Sequence, residues 1–240
     1  MGHPLAKLVA IALAASTVFA APSASASDAS LLVIGDSITC GMLASSTTCG
    51  RGYRGFARLE DDLLALGTFD RVTVDAVYAR NAAGLASTRR HGAKTIAEYI
   101  RKRPATSAVI VALGSNDLQH SFRPAYFEQQ IRAVITAAGS RPVAWINVFR
   151  SDRPYYVRRS ATFNAVLTRV AADTPTLTVI DWHTAIRANP GWQAFDKLHL
   201  QPVGYQARVP FYVDAAAALW QIVNPPVQDT TTTTTTTVAG

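Results

Sequence analysis

The 240-residue chain has only two cysteines, few charged residues (16%) and, beyond its N-terminus, no apolar run long enough to cross a bilayer. Two cysteines exclude a disulfide-built miniprotein and a four-cysteine zinc site. The 14 glycines and 12 prolines exclude a collagen-like or elastic repeat, and a hydrophobic content of 49% excludes a disordered chain. The composition therefore indicates a globular protein of one or two domains with a sizeable core.

The N-terminus has the pattern of a secretory signal peptide. A lysine precedes the apolar run Leu8–Ala20, and the small residues Ala24–Ala26 follow it. A basic start, a short apolar core and an A-x-A ending predict cleavage after Ala26, with a cut near Ala20 or Ala21 and an uncleaved anchor as the alternatives. We therefore expect a protein that is secreted or held in the cell envelope, with no membrane span after cleavage.

The C-terminus differs in composition from the rest of the chain. Two prolines follow Asn224, and Thr230–Thr237 is an uninterrupted threonine run. A threonine run buries too little apolar surface to offset its ordering entropy. These features predict a domain over residues 27–223 and a disordered Pro/Thr-rich tail over 224–240, with O-glycosylation of the run left open.

Cys40 and Cys49 are the only cysteines. Because an exported protein folds in an oxidising compartment, we predict that they form a disulfide, the alternative being two buried free thiols. The chain has no C-x-x-C motif and no histidine near these cysteines, so a zinc or redox role has little support.

The formal net charge of +7 is spread along the chain, with its densest clusters at Arg89–Arg90, Arg101–Arg103 and Arg158–Arg159. No nucleic-acid-binding motif accompanies these clusters, so we expect no nucleic-acid partner. The clusters belong either to a solvated face or to a surface that attracts an anionic cell-envelope polymer. We expect the protein to be a monomer.

Apolar patterning between the two ends predicts alternating strands and helices. The predicted strands are 31–34, 72–77, 108–113, 143–149 and 177–180, and the predicted helices are 56–66, 95–101, 124–138, 156–172 and 203–222. This alternation predicts one α/β domain, a three-layer α/β/α sandwich with a five-stranded parallel sheet. Ligands of such sheets bind beyond the carboxyl ends of the strands.

Three segments with chemically capable side chains lie next to predicted elements. Gly35–Ile38 follows the first strand and places a serine in a tight turn, Gly114–Asp117 follows the third and offers an asparagine amide, and Asp196–His199 precedes the last helix. An aspartate three residues before a histidine can hold the imidazole in the tautomer that a general base needs. Taken singly, each segment also reads as an ordinary turn or a helix cap.

Taken together, the three segments resemble the SGNH hydrolases, also called the GDSL esterases and lipases, over residues 30–222. The resemblance implies a flavodoxin-like fold with Ser37 as nucleophile, His199 as general base and Asp196 as its orienting partner. It also implies an oxyanion hole that includes the Ser37 N–H and the Asn116 side-chain amide. No metal or organic cofactor is implied.

The resemblance places the third oxyanion donor in the loop after the second strand. The family places a glycine in a segment that begins with asparagine after the second strand, and here that segment starts at Asn81. Gly84 is the only glycine of this segment, so the resemblance assigns its N–H as the third donor. Ala86 is the alternative, because a backbone N–H is all that the chemistry needs. The α/β-hydrolase family is disfavoured, since Ser37 is not in a G-x-S-x-G elbow.

The C-terminal half resembles exported SGNH domains of cell-wall O-acetyltransferases, through Asn147, Asn164, Asp181-Trp182 and Trp192. The absence of a membrane acyltransferase half favours hydrolysis over transfer. We expect a secreted serine esterase that hydrolyses acyl groups from glycans, lipids or small alcohols. The alternatives are acyl transfer or deacetylation on envelope glycans, and a non-catalytic envelope-binding module. The two tryptophans belong either to packing or to a ligand-binding wall.

Overall fold

The computed structural model describes residues 29–45, 49, 55–84 and 87–225. The predicted signal peptide over 1–26, the threonine run of the predicted tail and Ala86 lie outside the described residues. Within the described ranges, no helix combines the length and the apolar character needed to cross a membrane.

A five-stranded parallel sheet forms the centre of the domain. Its strands are β1 (Ser30–Gly35), β2 (Arg71–Ala76), β3 (Thr106–Ala112), β4 (Val143–Ile146) and β5 (Leu177–Ile180), in the spatial order β2-β1-β3-β4-β5. The helices are α1 (Ser37–Cys40), α2 (Leu59–Leu64), α3 (Gly92–Lys102), α4 (Pro124–Ala138), α5 (Pro154–Ala172), α6 (Trp182–Ala188) and α7 (Pro202–Val223). The predicted α/β class and five-stranded parallel sheet are confirmed.

Helices cover both faces of the sheet, which gives the three predicted layers. Alternate residues of β1 point to opposite sides: Leu32 and Ile34 pack with α3, α4 and α5, whereas Leu31 and Val33 pack with α2, α6 and α7. All four side chains are buried. Burial on both faces explains why the central strands appear in the sequence as continuous apolar runs.

The strand order places a topological switch point at the carboxyl ends of β1 and β3. The chain leaves β1 to form β2 on one side, and then returns to form β3 on the other side. Gly35 is aligned with both Ala76 and Ala112, so β1, β2 and β3 end level. The loops that follow β1 and β3 therefore diverge at one edge, where open α/β sheets bind ligands.

Two predicted elements were too long. The strand predicted over 143–149 ends at Ile146, because the Asn164 side chain bonds both the N–H and the carbonyl of Val148 and so replaces the sheet ladder. The helix predicted over 56–66 spans only Leu59–Leu64, and the segment before it bonds to the turn after α1, through the Phe56 N–H to the Gly41 carbonyl.

Cys40 and Cys49 form a disulfide, with 5.8 Å between their Cα atoms, and both residues are buried. Cys40 is the last residue of α1, which starts at Ser37. The bridge therefore braces the end of the one-turn helix that carries this serine.

Replacing both cysteines with serine is expected to lower the free energy of unfolding by about 2.5–3 kcal/mol, because the unfolded chain regains the entropy of an open ten-residue loop. Activity should fall as well, since small displacements of a reacting group slow a reaction strongly. Thermal melts and ester-hydrolysis rates of the double variant measure the two effects. Two alkylatable thiols in the unreduced, denatured protein would show instead that no bridge exists.

Candidate active site

Ser37 lies at the carboxyl end of β1 as the first residue of α1. The preceding Asp36 caps this helix, because its carboxylate accepts the N–H of Ile38 at 2.9 Å. Ser37 is half-buried, whereas Asp36 and Ile38 are buried. The buried neighbours therefore fix the backbone of the turn, and the serine side chain is left partly exposed at the edge of the sheet.

His199 reaches Ser37 from the loop that precedes α7. The distance from His199 Nε2 to Ser37 Oγ is 2.9 Å, and His199 Nδ1 lies 2.6 Å from Asp196 Oδ2. The other oxygen of Asp196 accepts the backbone N–H groups of Leu198 and His199. One carboxylate thus orients both the imidazole ring and the turn that carries it.

Asp196 is ionised in this arrangement. Burial alone would raise its pKa, but the hydrogen bonds from the His199 ring and from the Leu198 and His199 backbone outweigh burial and lower the pKa below 3.8. A carboxylate accepts only, so Nδ1 of His199 carries the proton and donates it to Asp196. Nε2 is then left as an acceptor for the Ser37 hydroxyl, as a general base requires.

The backbone between Asp196 and His199 is held in an uncommon conformation. Lys197 has a φ of 56°, in the left-handed region that L-residues seldom occupy. Its carbonyl accepts hydrogen bonds from the Ser151 N–H at 3.1 Å and from the Gln193 side chain at 3.0 Å. These contacts from the loops after β4 and α6 stabilise the strained turn that aims His199 at Ser37.

Asn116 follows β3 and lies beside the Ser37 turn. Its side-chain nitrogen donates to Asp36 Oδ2 at 3.2 Å and to the carbonyl of Arg80 at 3.1 Å. Gly114, two residues earlier, has a φ of +127°, and a Cβ there would lie 2.6 Å from the Phe163 ring. Only glycine fits this bend, which turns the chain from β3 toward the serine.

Asp117 connects the loop after β3 to the loop after β2. Both of its carboxylate oxygens lie within 3.2 Å of the Ala82 N–H. Gly84, two residues beyond Ala82, is half-buried and lies beside Tyr126 and Gln130 of α4. Asp117 therefore positions the loop in which the sequence predicts an oxyanion donor, and its own side chain is fully buried.

Replacing Asp117 with asparagine is expected to make stability less dependent on pH. Burial raises the Asp117 pKa from 3.8 to about 7, against the opposing effect of the Ala82 N–H. A folded-state pKa above the unfolded one gives stability that is full below about pH 4 and is lost as the pH rises through about 7. Asparagine keeps an acceptor for Ala82 but does not titrate. The melting temperature of the variant, minus that of the wild type, should become more positive between these pH values, and a constant difference would contradict the assignment.

Two buried arginines near the site are not foreseen by the sequence analysis. Each nitrogen of the Arg80 guanidinium donates a hydrogen bond. The acceptors are Asp75 and the carbonyls of Gly35 and Arg89. Arg208 of α7 lies over the Trp182 ring. Burial raises the pKa of Asp36, and the Arg208 charge partly opposes that rise. No short motif marks such residues, because their partners lie far away in the sequence.

The other residues that suggested a subfamily have structural roles. Trp182 is only 2% exposed and stacks on Trp192, which is partly buried. Asn147 bonds the Asp181 carboxylate at 2.8 Å and the His183 N–H, and so ties the end of β4 to the start of α6. Trp182 therefore packs in the core and does not form a ligand-binding wall. The part of the chain that the structure describes contains no cluster of three or more side chains suited to a metal.

Comparisons with known proteins agree with this architecture. Residues 33–207 match the GDSL-like Lipase/Acylhydrolase family. Comparison with curated protein sequences finds no significant match. Among solved structures, TesA superposes with a TM-score of 0.60 and 18% identity, over 79% of this chain and 99% of that one.

Two further structures are similar over nearly their whole length. A carbohydrate acetylesterase family member from Sinorhizobium meliloti has a TM-score of 0.59 and 18% identity, covering 80% of this chain and 98% of its own. The C-terminal catalytic domain of Streptococcus pneumoniae peptidoglycan O-acetyltransferase A has a TM-score of 0.56 and 15% identity, covering 80% and 93%. At such low identity these likenesses establish the fold.

Proposed function

The chain belongs to the GDSL-like lipase/acylhydrolase family and is a carboxylic ester hydrolase, and from this premise we propose that Ser37, His199 and Asp196 are its catalytic triad. One observation carries the proposal: the unbroken chain of contacts from Ser37 Oγ through His199 to Asp196, at 2.9 and 2.6 Å. Nucleophile, base and orienting carboxylate each lie within hydrogen-bond reach of the next, as nucleophilic catalysis requires.

The geometry fits a two-step mechanism. His199 Nε2 accepts the Ser37 proton as Oγ attacks the ester carbonyl carbon, and the same proton passes to the departing alcohol. Water then attacks the acyl-enzyme while His199 accepts one of its protons. His199 passes that proton to Ser37 Oγ as the acyl bond breaks, and the other proton leaves with the carboxylic acid product. Asp196 stays ionised throughout and stabilises the imidazolium formed in each step.

The oxyanion forms beside backbone and side-chain donors. As the first residue of α1, Ser37 has an N–H without an intrahelical partner. The Gly84 N–H makes no hydrogen bond to any other described residue, and we propose it as the second donor. The Asn116 amide is proposed as the third donor. Its hydrogen bonds to Asp36 and Arg80, at 3.2 and 3.1 Å, hold it beside the turn, and one of its two hydrogens turns to the oxyanion as that charge forms.

Replacing Asn116 with alanine is expected to lower kcat by about 10²–10³-fold with a smaller change in KM, because the donor acts chiefly on charge that develops in the transition state. Steady-state kinetics on an aryl ester measures both constants. A change confined to KM would show that Asn116 only binds substrate.

Two of the similar structures are named for acetyl esters of carbohydrates. Acetylated glycans are therefore the first natural substrates to test, beside simple aryl esters. We propose hydrolysis as the main reaction, since the exposed His199–Asp196 pair leaves the base open to water. Transfer to a glycan hydroxyl is the second candidate, because a sugar hydroxyl replaces water without any other change in mechanism.

The decisive experiment follows aryl esters from acetyl to long acyl chains. We expect turnover that a serine-reactive phosphonate abolishes, with the label attached to Ser37. Product analysis with an added sugar acceptor then separates hydrolysis from transfer. A phosphonate that labels the protein elsewhere, or leaves turnover unchanged, would overturn the assignment of the nucleophile.

We also propose that the protein is exported. The basic and apolar N-terminal pattern supports this, and the Cys40–Cys49 bridge fits an oxidising compartment. N-terminal sequencing of the protein recovered from culture medium should give a chain that starts at Ser27. An intact Met1 on the recovered protein would contradict the cleavage site.

A further inference from the structure

Two adjoining cavities open beside the candidate active site. The first, of about 430 Å³, is lined by Asn116, Arg90 and His120 among others. The second, of about 640 Å³, is lined by His120, Arg123 and Arg159 among others. Because His120 lines both, the cavities adjoin, and we refer to the two together as the groove, with Asn116 at one end and Arg159 of α5 at the other. The volume of each lies in the range of small-ligand sites.

The groove carries charge of one sign. Arg90, Arg123 and Arg159 line it, and no aspartate or glutamate does. None of the three arginines has an ion-pair partner among the described residues. By contrast, the exposed Arg132 and Arg169 share the Glu128 carboxylate. The groove therefore presents cations that no carboxylate of the described chain neutralises.

Arg159 is fixed in place despite this lack of a carboxylate. Its Nη1 donates to the Leu118 carbonyl at 2.6 Å, and its guanidinium lies 4.9 Å from the Tyr155 ring centre and 6.0 Å from that of Phe122. The side chain is half-buried. A planar cation held in this way, with donors left over, is suited to bidentate contact with a carboxylate or phosphate.

We propose that this groove binds an anionic group on the ester substrate, so that the enzyme prefers esters bearing a carboxylate or phosphate over neutral ones. The inference rests on the proposed function, because it takes Asn116 as the reacting end of the groove. The anion binds to the arginines of the groove, Arg90 in the first cavity and Arg159 in the second, while the ester carbonyl lies at Ser37. Binding of the anion in the groove thereby favours anionic esters over neutral esters of the same shape.

The chain supplies its own controls. Arg89 and Arg158 are the sequence neighbours of Arg90 and Arg159, and neither lines the groove. Replacing Arg90 and Arg159 with glutamine changes the net charge by the same amount as replacing Arg89 and Arg158. Any difference in substrate preference between the two double variants therefore comes from where the arginines lie, and not from the long-range electric field of a basic protein.

The test compares two aryl acetates of similar shape, anionic 3-acetoxybenzoate and neutral 3-acetoxybenzamide. The quantity measured is the ratio of their kcat/KM values, in which general damage to the active site cancels. We expect the ratio to fall about tenfold in the Arg90→Gln/Arg159→Gln variant and to stay within about twofold of wild type in the Arg89→Gln/Arg158→Gln variant. In the wild type, raising the salt concentration to about 0.5 M should lower the ratio, because the contacts are partly exposed.

An equal ratio in all three proteins overturns the anion groove while leaving the esterase intact. Hydrolysis of neither ester by the wild type overturns the proposed function instead. Should the double variant fail to fold, Arg90→Gln alone carries the test, since this side chain is exposed and bonds no other described residue. Arg159→Lys keeps a positive charge, so this variant should retain part of the preference for the anionic ester. If it retains none, the role of Arg159 is limited to packing.

Discussion

Replacing Ser37 with alanine should lower kcat by about 10³-fold or more while leaving the melting temperature nearly unchanged. Among the described residues the hydroxyl has one hydrogen-bond partner, His199 Nε2, so its removal should cost the fold little. Without it there is no covalent intermediate, and the residual rate comes from oxyanion stabilisation and substrate positioning alone. Initial rates on an aryl acetate, with circular dichroism melts of the same samples, measure both quantities.

Ser107→Ala serves as the matched control for Ser37. Its hydroxyl bonds the Ser30 N–H at the opposite end of the sheet, so its loss should leave the rate unchanged. A Ser37→Ala enzyme that turns over at the wild-type rate, when free of contaminating esterase, would refute the mechanism.

Replacing Asp196 with asparagine should lower kcat by about 10³–10⁴-fold at neutral pH. The side-chain oxygen of asparagine still accepts the N–H groups of Leu198 and His199, so the turn keeps its shape. The amide nitrogen then faces His199 Nδ1, which must become an acceptor, and the ring proton moves to Nε2. In that tautomer the imidazole donates toward Ser37 and cannot remove its proton.

The tautomer explanation predicts a specific contrast. Asp181→Asn removes a carboxylate that caps α6 at the same edge of the sheet, where its Oδ1 accepts the Thr184 N–H. That change should reduce stability and leave kcat near wild type. If both variants lost the same activity, a general effect of losing a carboxylate at this edge of the sheet, rather than imidazole orientation, would explain the loss at Asp196.

The sheet and the neighbourhood of the site were predictable because both leave local patterns. The apolar run over 108–113 marks a strand buried on two faces, and the structure places β3 at Thr106–Ala112. The segments at Ser37, Asn116 and His199 each lie at or next to a predicted element, and parallel strands bring such positions to one edge. The structure does bring the three side chains of the proposed triad together, although their chemical roles stay predictions.

Features that depend on distant partners were not predictable. The end of β4 is set by Asn164, which is 16 residues away in α5. The short helix α6 depends on the Asp181 cap and on the bond from Asn147 to the His183 N–H. Nothing local in the sequence shows that Arg159 is held by a carbonyl and three aromatic rings whereas the adjacent Arg158 is exposed. Such distinctions arise only when elements pack.

The contact between Ser37 and His199 joins residues that are 162 positions apart in the chain. A second contact beneath it, between Thr39 of α1 and Tyr212 of α7, spans 173 positions. The ribosome therefore completes the nucleophile long before it makes the base. A nascent chain or fragment that ends before His199 has no base, so it cannot attack an ester in the proposed way. For the same reason, recovery of activity after denaturation would report the arrival of the last helix, not the formation of the sheet.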